Sequence, residues 1–194
     1  MNDIRAWANR LTHIIDNGLK HDSPDIRNLA AALKRDRARI PNPAWDGGLI
    51  ASWLYAHGLA DTQPDGPWEK QPRREDMEML ADTIRPMLAL YLQWRTKAHP
   101  KNDTKPLRFG EAIGRLEHGD TLLRLLQTAQ TTDRRTVMLT RIIDRIAGKD
   151  LRIDWGSLTV DLHMIRVADA CDVYAKWAAE LAYATRPAKP AEGK

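Results

Sequence analysis

Six histidines and one cysteine are the residues of this 194-residue chain best suited to acid–base, metal or nucleophilic chemistry, and their spacing speaks against all three. His13 and Asp16 stand three apart on a helical stretch, and His21 and Asp22 are adjacent in a turn. Asp161 and His163 are two apart, which on a helix points them in different directions. There is no His-Glu-x-x-His and no set of Cys and His ligands. An adjacent His-Asp pair such as His21-Asp22 also serves metal-dependent phosphohydrolases, but those need further His and Asp ligands from other helices. Cys171 lies in a run of alanine and apolar residues and reads as a small packed residue. Gly47-Gly48 could show backbone N–H groups to an anion, yet a helix entry needs no ligand to explain it. We expect no catalytic residue, no metal and no cofactor.

What remains is positive charge in clusters. Arg27 precedes the run Lys34-Arg35-Asp36-Arg37-Ala38-Arg39. Farther on, Arg134, Arg141 and Arg145 are 7 and 11 positions apart, so at 3.6 residues per turn they fall within about 40° of one another. Arg115, Arg124 and Arg135 stand near that stripe. Long cationic side chains repeated along one side of a rigid element suit a phosphate backbone and require no catalytic geometry. The same residues also fit solvated helix surfaces: cations at a helix C-terminus complement its dipole, and Asp133, Asp144 and Asp150 are close enough for local ion pairs. The residues alone leave both readings open.

The elements that position these clusters read as helices. Ile4, Trp7, Ala8, Leu11 and Ile15 recur at helical steps up to Asn17-Gly18, a left-handed stop. Ser23-Pro24 opens a second helix with Ile26, Leu29, Ala30 and Leu33 inward, ending in the Lys34–Arg39 run. A third helix is expected from Asp46 to Gly58, then a Pro-rich loop, then a helical stretch from Glu75 to about Lys97 that Pro86 should kink or split. The polar segment 100–106 is the expected linker between an N-terminal bundle, 1–99, and a C-terminal bundle, 107–186, with 187–194 as a disordered tail. In the second bundle a short helix begins at Phe109. Asp120 caps the next helix, with Leu122, Leu125, Leu126 and Ala129 inward, and Thr132 or Asp133 caps the arginine helix, with Leu139, Ile142, Ile143 and Ile146 inward. Asp154 caps a helix that buries Trp155, Leu158, Leu162 and Ile165, and a last helix buries Ala170, Val173, Tyr174, Trp177, Ala178 and Leu181. No run alternates at the two-residue period of a half-buried strand, so the fold class is all-α.

Composition sets wider bounds. Hydrophobic residues make up 43% of the chain, enough for a core without staples, and the net charge of +4 permits a polyanionic partner without requiring one. That charge divides evenly between the halves and singles out neither. One cysteine fits a reducing cytoplasm, and no apolar run approaches the roughly 20 residues of a spanning helix, so no membrane partner is expected.

In their order, the segments Phe109-Gly-Glu-Ala-Ile-Gly-Arg-Leu116 and Ile153-Asp-Trp-Gly-Ser-Leu-Thr-Val-Asp-Leu162, the arginine helix between them, and Lys176-Trp177 with Tyr183 closely resemble the CasB small-subunit family of the type I-E CRISPR surveillance complex, Cascade. Leu29-Ala-Ala-Ala-Leu-Lys-Arg35 is similar to that family's Leu-Ala then Leu-Arg-Arg segment, and the region 69–105 matches poorly. The resemblance implies an all-helical, non-enzymatic protein present in two copies in a ribonucleoprotein. There it would contact the backbone and large subunits, support the paired guide RNA and target DNA, and hold the displaced strand in a basic groove. It matches Lys34 and Arg35 to the family's basic pair and Arg141 to its basic position before Ile-Asp-Trp, with Arg134, Arg135 and Arg145 as neighbours. Arg27, Arg37, Arg39 and Arg124 complete the expected nucleic-acid-binding set. One departure stands out: where the family often has Glu-Arg-Arg, this chain reads Gly119-Asp-Thr-Leu-Leu-Arg124, two cations short. The alternative is a free-standing helical DNA-binding regulator, which needs a helix-turn-helix; the arginine helix after Thr131-Thr132 is its nearest candidate.

Overall fold

The computed structural model describes residues 2–37, 53, 56–57, 59, 83, 85–99, 104–129, 131–168 and 170–185. Among these, the secondary structure is eight helices: α1 (Asn2–Lys20), α2 (Pro24–Arg37), α3 (Arg85–Arg95), α4 (Phe109–Gly114), α5 (Gly119–Gln127), α6 (Thr132–Gly148), α7 (Trp155–Val167) and α8 (Ala170–Ala184). An isolated parallel bridge pairs Leu107 with Ile153. The all-α class is the one the helical periodicity requires. Most of the expected third helix, the Pro-rich loop, the first part of the 75–97 stretch and the 187–194 tail lie outside the described residues.

The chain divides into two compact units, Met1–Gln93 with Trp155–Ala168, and Trp94–Asp154 with Asp169–Lys194. This differs from the sequence expectation of one break at 100–106. The chain changes unit at 93/94, and α7 belongs with the first unit because it packs along α1. The contact is close: a Cβ on Gly156 would lie 2.6 Å from Asn9 Oδ1 and 2.9 Å from Arg5 Cγ. An apolar face such as that of α7 states that it must be covered, not by which helix.

In the first unit, Ala8, Leu11 and Ile15 of α1, Ile26 and Leu29 of α2, and Met87, Leu88 and Tyr91 of α3 are buried together with Trp155, Leu158 and Leu162 of α7. Tyr91 meets Trp155 edge-on at 5.0 Å between ring centroids, and the Trp7 indole N–H donates to the Leu59 carbonyl at 2.8 Å. α1 does not stop at Asn17-Gly18. It continues to Lys20, and the left-handed turn is made by Asp22, at φ 50°. A short polar side chain tolerates that conformation better than most. α2 starts at Pro24, as its fixed φ favours.

In the second unit α8 packs against α4 and α5, and α6 packs against α5 and α4. Trp177 is fully buried and meets the Phe109 ring at 4.7 Å and Tyr174 at 5.7 Å. The two marker segments are joined by main chain: Leu107 N–H donates to Arg152 O at 2.9 Å and Asp154 N–H to Leu107 O at 2.8 Å. α5 starts at Gly119, with His118 left-handed at φ 58° as its cap residue, rather than at Asp120. Its buried side is accordingly Leu122, Leu123 and Leu126, while Leu125 is 50% exposed. Cys171 is also exposed rather than packed: it shares the outer side of α8 with Ala175 and Ala179.

Candidate nucleic-acid interface

Hydrophobic spacing fixes the rotation of α6 about its axis. Leu139, Ile142, Ile143, Ile146 and Ala147 are all buried, which leaves the opposite side to solvent. On that side Arg134, Arg141 and Arg145 are exposed, over a rise of about 16 Å at 1.5 Å per residue. Both ends of the helix are anchored. The cap is Thr131, one residue before the expected pair, and its hydroxyl accepts from Arg134 N–H at 3.3 Å. At the other end Asp150 turns left-handed at φ 52°, and its carboxylate accepts from His99 N–H at 2.8 Å.

Two of the three acidic neighbours that could have neutralised this stripe are engaged elsewhere. Asp144 pairs with Lys97, and Asp150 holds the His99 amide. Among the described side chains, Arg134, Arg141 and Arg145 form no ion pair. Three guanidinium groups on one side of a well-packed helix can take successive phosphates, because each offers fixed, permanently charged donors.

The remaining expected residues divide by position. Arg135 points away from the stripe and is half-buried, with its Nε enclosed and without a hydrogen-bond partner among the described residues. Arg124 is exposed on α5 and faces Asp120 at 3.7 Å, one turn earlier. Arg27 is exposed on α2 and pairs with Asp22 at 3.6 Å. Lys34, Arg35 and Arg37 fall in the last turns of α2, where the backbone alone is described, and Arg39 lies outside the described residues. The structure therefore brings Arg134, Arg141 and Arg145 onto one face and leaves Arg27, with the end of α2, in the other unit.

Two residues of the face were not singled out from sequence. Lys149, the residue that ends α6, is exposed one turn beyond Arg145, and carrying the stripe one further step of four would have reached it. Val137 is 50% exposed, three residues after Arg134 and four before Arg141. Its angle on the helix puts it on the arginine side, away from Leu139, Ile142, Ile143 and Ile146.

Asp22 of the His21-Asp22 pair is committed to the turn and to Arg27. Among the described residues no group of three or more His, Cys, Asp or Glu is placed to hold a metal ion, and no helix is long and apolar enough to cross a membrane.

Comparison with known proteins then adds three findings. The family model for CRISPR-associated protein Cse2 matches residues 28–180. No curated protein sequence gives a significant match. Among solved structures, the crystal structure of CasB from Thermobifida fusca is similar in fold, with a TM-score of 0.64 over 92% of this chain and 97% of that one, at 19% identity.

Proposed function

Since the chain belongs to the CRISPR-associated protein Cse2 family, we propose that it is the non-catalytic small subunit of a type I-E Cascade surveillance ribonucleoprotein acting in antiviral defence. In this reading it joins the backbone and large subunits and a second copy of itself. Its cationic faces steady the R-loop formed by guide RNA and target DNA, together with the displaced strand.

The observation that supports this most is the α6 stripe, three exposed arginines without an ion pair among the described side chains while nearby Asp144 and Asp150 are held by other groups. Each phosphate such a face neutralises adds a salt-dependent increment of affinity that does not depend on sequence. A subunit working on R-loops of any sequence needs that property, because the guide does the reading by base pairing.

The test is a Cascade complex reconstituted with Lys34→Glu and Arg141→Glu in this subunit. Target DNA binding should weaken by roughly tenfold or more at physiological salt, while circular dichroism of the variant stays that of the parent. Undiminished R-loop formation by a correctly folded variant would overturn the proposal.

A further inference from the structure

The segment at the end of α3 is tied at three points to α6 and to the turn that follows it. Trp94, buried, donates its indole N–H to the Leu151 carbonyl at 3.0 Å, Lys97 pairs with Asp144, and the His99 N–H donates to the Asp150 carboxylate at 2.8 Å. Ala98 is fully buried, and its N–H and that of Lys97 return to the Trp94 carbonyl at 2.8 and 3.0 Å. The backbone that carries Lys97 is therefore held on both sides. Asp144 follows Arg141 by three residues, and side chains three apart on a helix are neighbours. A carboxylate turned toward Arg141 would compete with a phosphate for it. As an exposed pair, Lys97 and Asp144 add little to stability, so the consequence of their contact lies in where it puts the carboxylate.

We infer that Lys97 is a positioning residue: by holding Asp144 it keeps Arg141 available to a phosphate, without touching the nucleic acid itself. The inference rests on the nucleic-acid reading given above and assigns control of that face to a residue outside it. Lys97 belongs to the same compact unit as α6, so the control is local to that unit. Its mark is dependence on a partner. The loss of Lys97 matters only while Asp144 carries a carboxylate, whereas a lysine that meets a phosphate directly contributes whatever stands at 144.

The test is a double-mutant cycle in the reconstituted complex, read as affinity for target DNA at two salt concentrations. Lys97→Gln should weaken binding by about twofold to fivefold, with a shallower salt dependence, as when Arg141 is lost. Asp144→Asn should bind at least as tightly as the parent, and adding Lys97→Gln to it should change nothing further, because no carboxylate is left to compete. Equal weakening by Lys97→Gln in both backgrounds would mean that Lys97 meets a phosphate itself. Weakening by Asp144→Asn as large as that by Lys97→Gln would mean that the pair only holds the fold. Either result overturns the inference, as does a Lys97→Gln complex with the parent's affinity and slope. Arg141→Gln in the same assay separates the two levels of the argument. If it weakens binding while Lys97→Gln does not, the nucleic-acid reading stands and the positioning role falls; if Arg141→Gln leaves binding unchanged, both fall.

Discussion

A methyl group on Gly110 has no room. It would collide with the Trp177 carbonyl oxygen and lie 2.7 Å from Glu180 Cβ, and the backbone atom cannot swing aside as a flexible side-chain tip could. Gly110→Ala should therefore destabilise the protein by about 1–3 kcal/mol, a drop in Tm of roughly 2–4 °C per kcal/mol for a chain this size, measured by thermal melting; an unchanged melt would show that α4 and α8 can separate without cost. The same contact explains Glu180, which is 8% exposed yet acidic. Its carboxylate accepts from Gly110 N–H at 3.1 Å and faces Arg108 at 3.7 Å, placing negative charge at the start of α4, where the backbone N–H groups favour it. Phe109, Trp155 and Trp177 were legible as core because large apolar side chains at helical steps have few other places to go. Glu180 was not, since a lone carboxylate reads as surface until its partners are seen. Cys171 failed in the other direction: with alanines around it on several sides, composition does not mark which side of the helix is inside.

Helices α4 to α8 were expected where they occur, and the errors lie in their starts and in the phase that follows from them. α5 begins at Gly119, two residues earlier than a cap at Asp120 implies, and Leu123 stands in its core where Leu125 was expected. Two of the displaced boundaries coincide with left-handed turn residues other than glycine: His118 before α5 and Asp22 after α1. α6 is the element for which the exact start matters most to function, because its rotation presents the arginines. Removing its cap with Thr131→Ala should cost about 1 kcal/mol, visible as a lower thermal midpoint by circular dichroism, with the helix retained at room temperature through its buried face. A variant as stable as the parent would mean that packing of Leu139 to Ile146 alone defines where α6 begins.

At the scale of the whole molecule, the place of α7 in the first unit was not legible in the sequence. Trp155, Leu158 and Leu162 announce a buried face, but several helices in the chain could have covered it. The candidate interface was legible as a stripe because arginines 7 and 11 residues apart must share a side of any helix. What sequence left open was whether Asp133, Asp144 and Asp150 neutralise it. Two of those three are now accounted for by Lys97 and the His99 amide, while the side chain of Asp133 is not among those described. In the proposed function Arg134, Arg141 and Arg145 each meet a phosphate when the assembled complex holds its DNA. The most direct measurement is the dependence of target-DNA affinity on salt for complexes carrying the parent subunit or the triple variant Arg134→Gln, Arg141→Gln and Arg145→Gln. We predict that the slope of log affinity against log salt becomes shallower by about 0.7–0.9 for each arginine removed; a triple variant with the parent's slope and affinity would contradict the account.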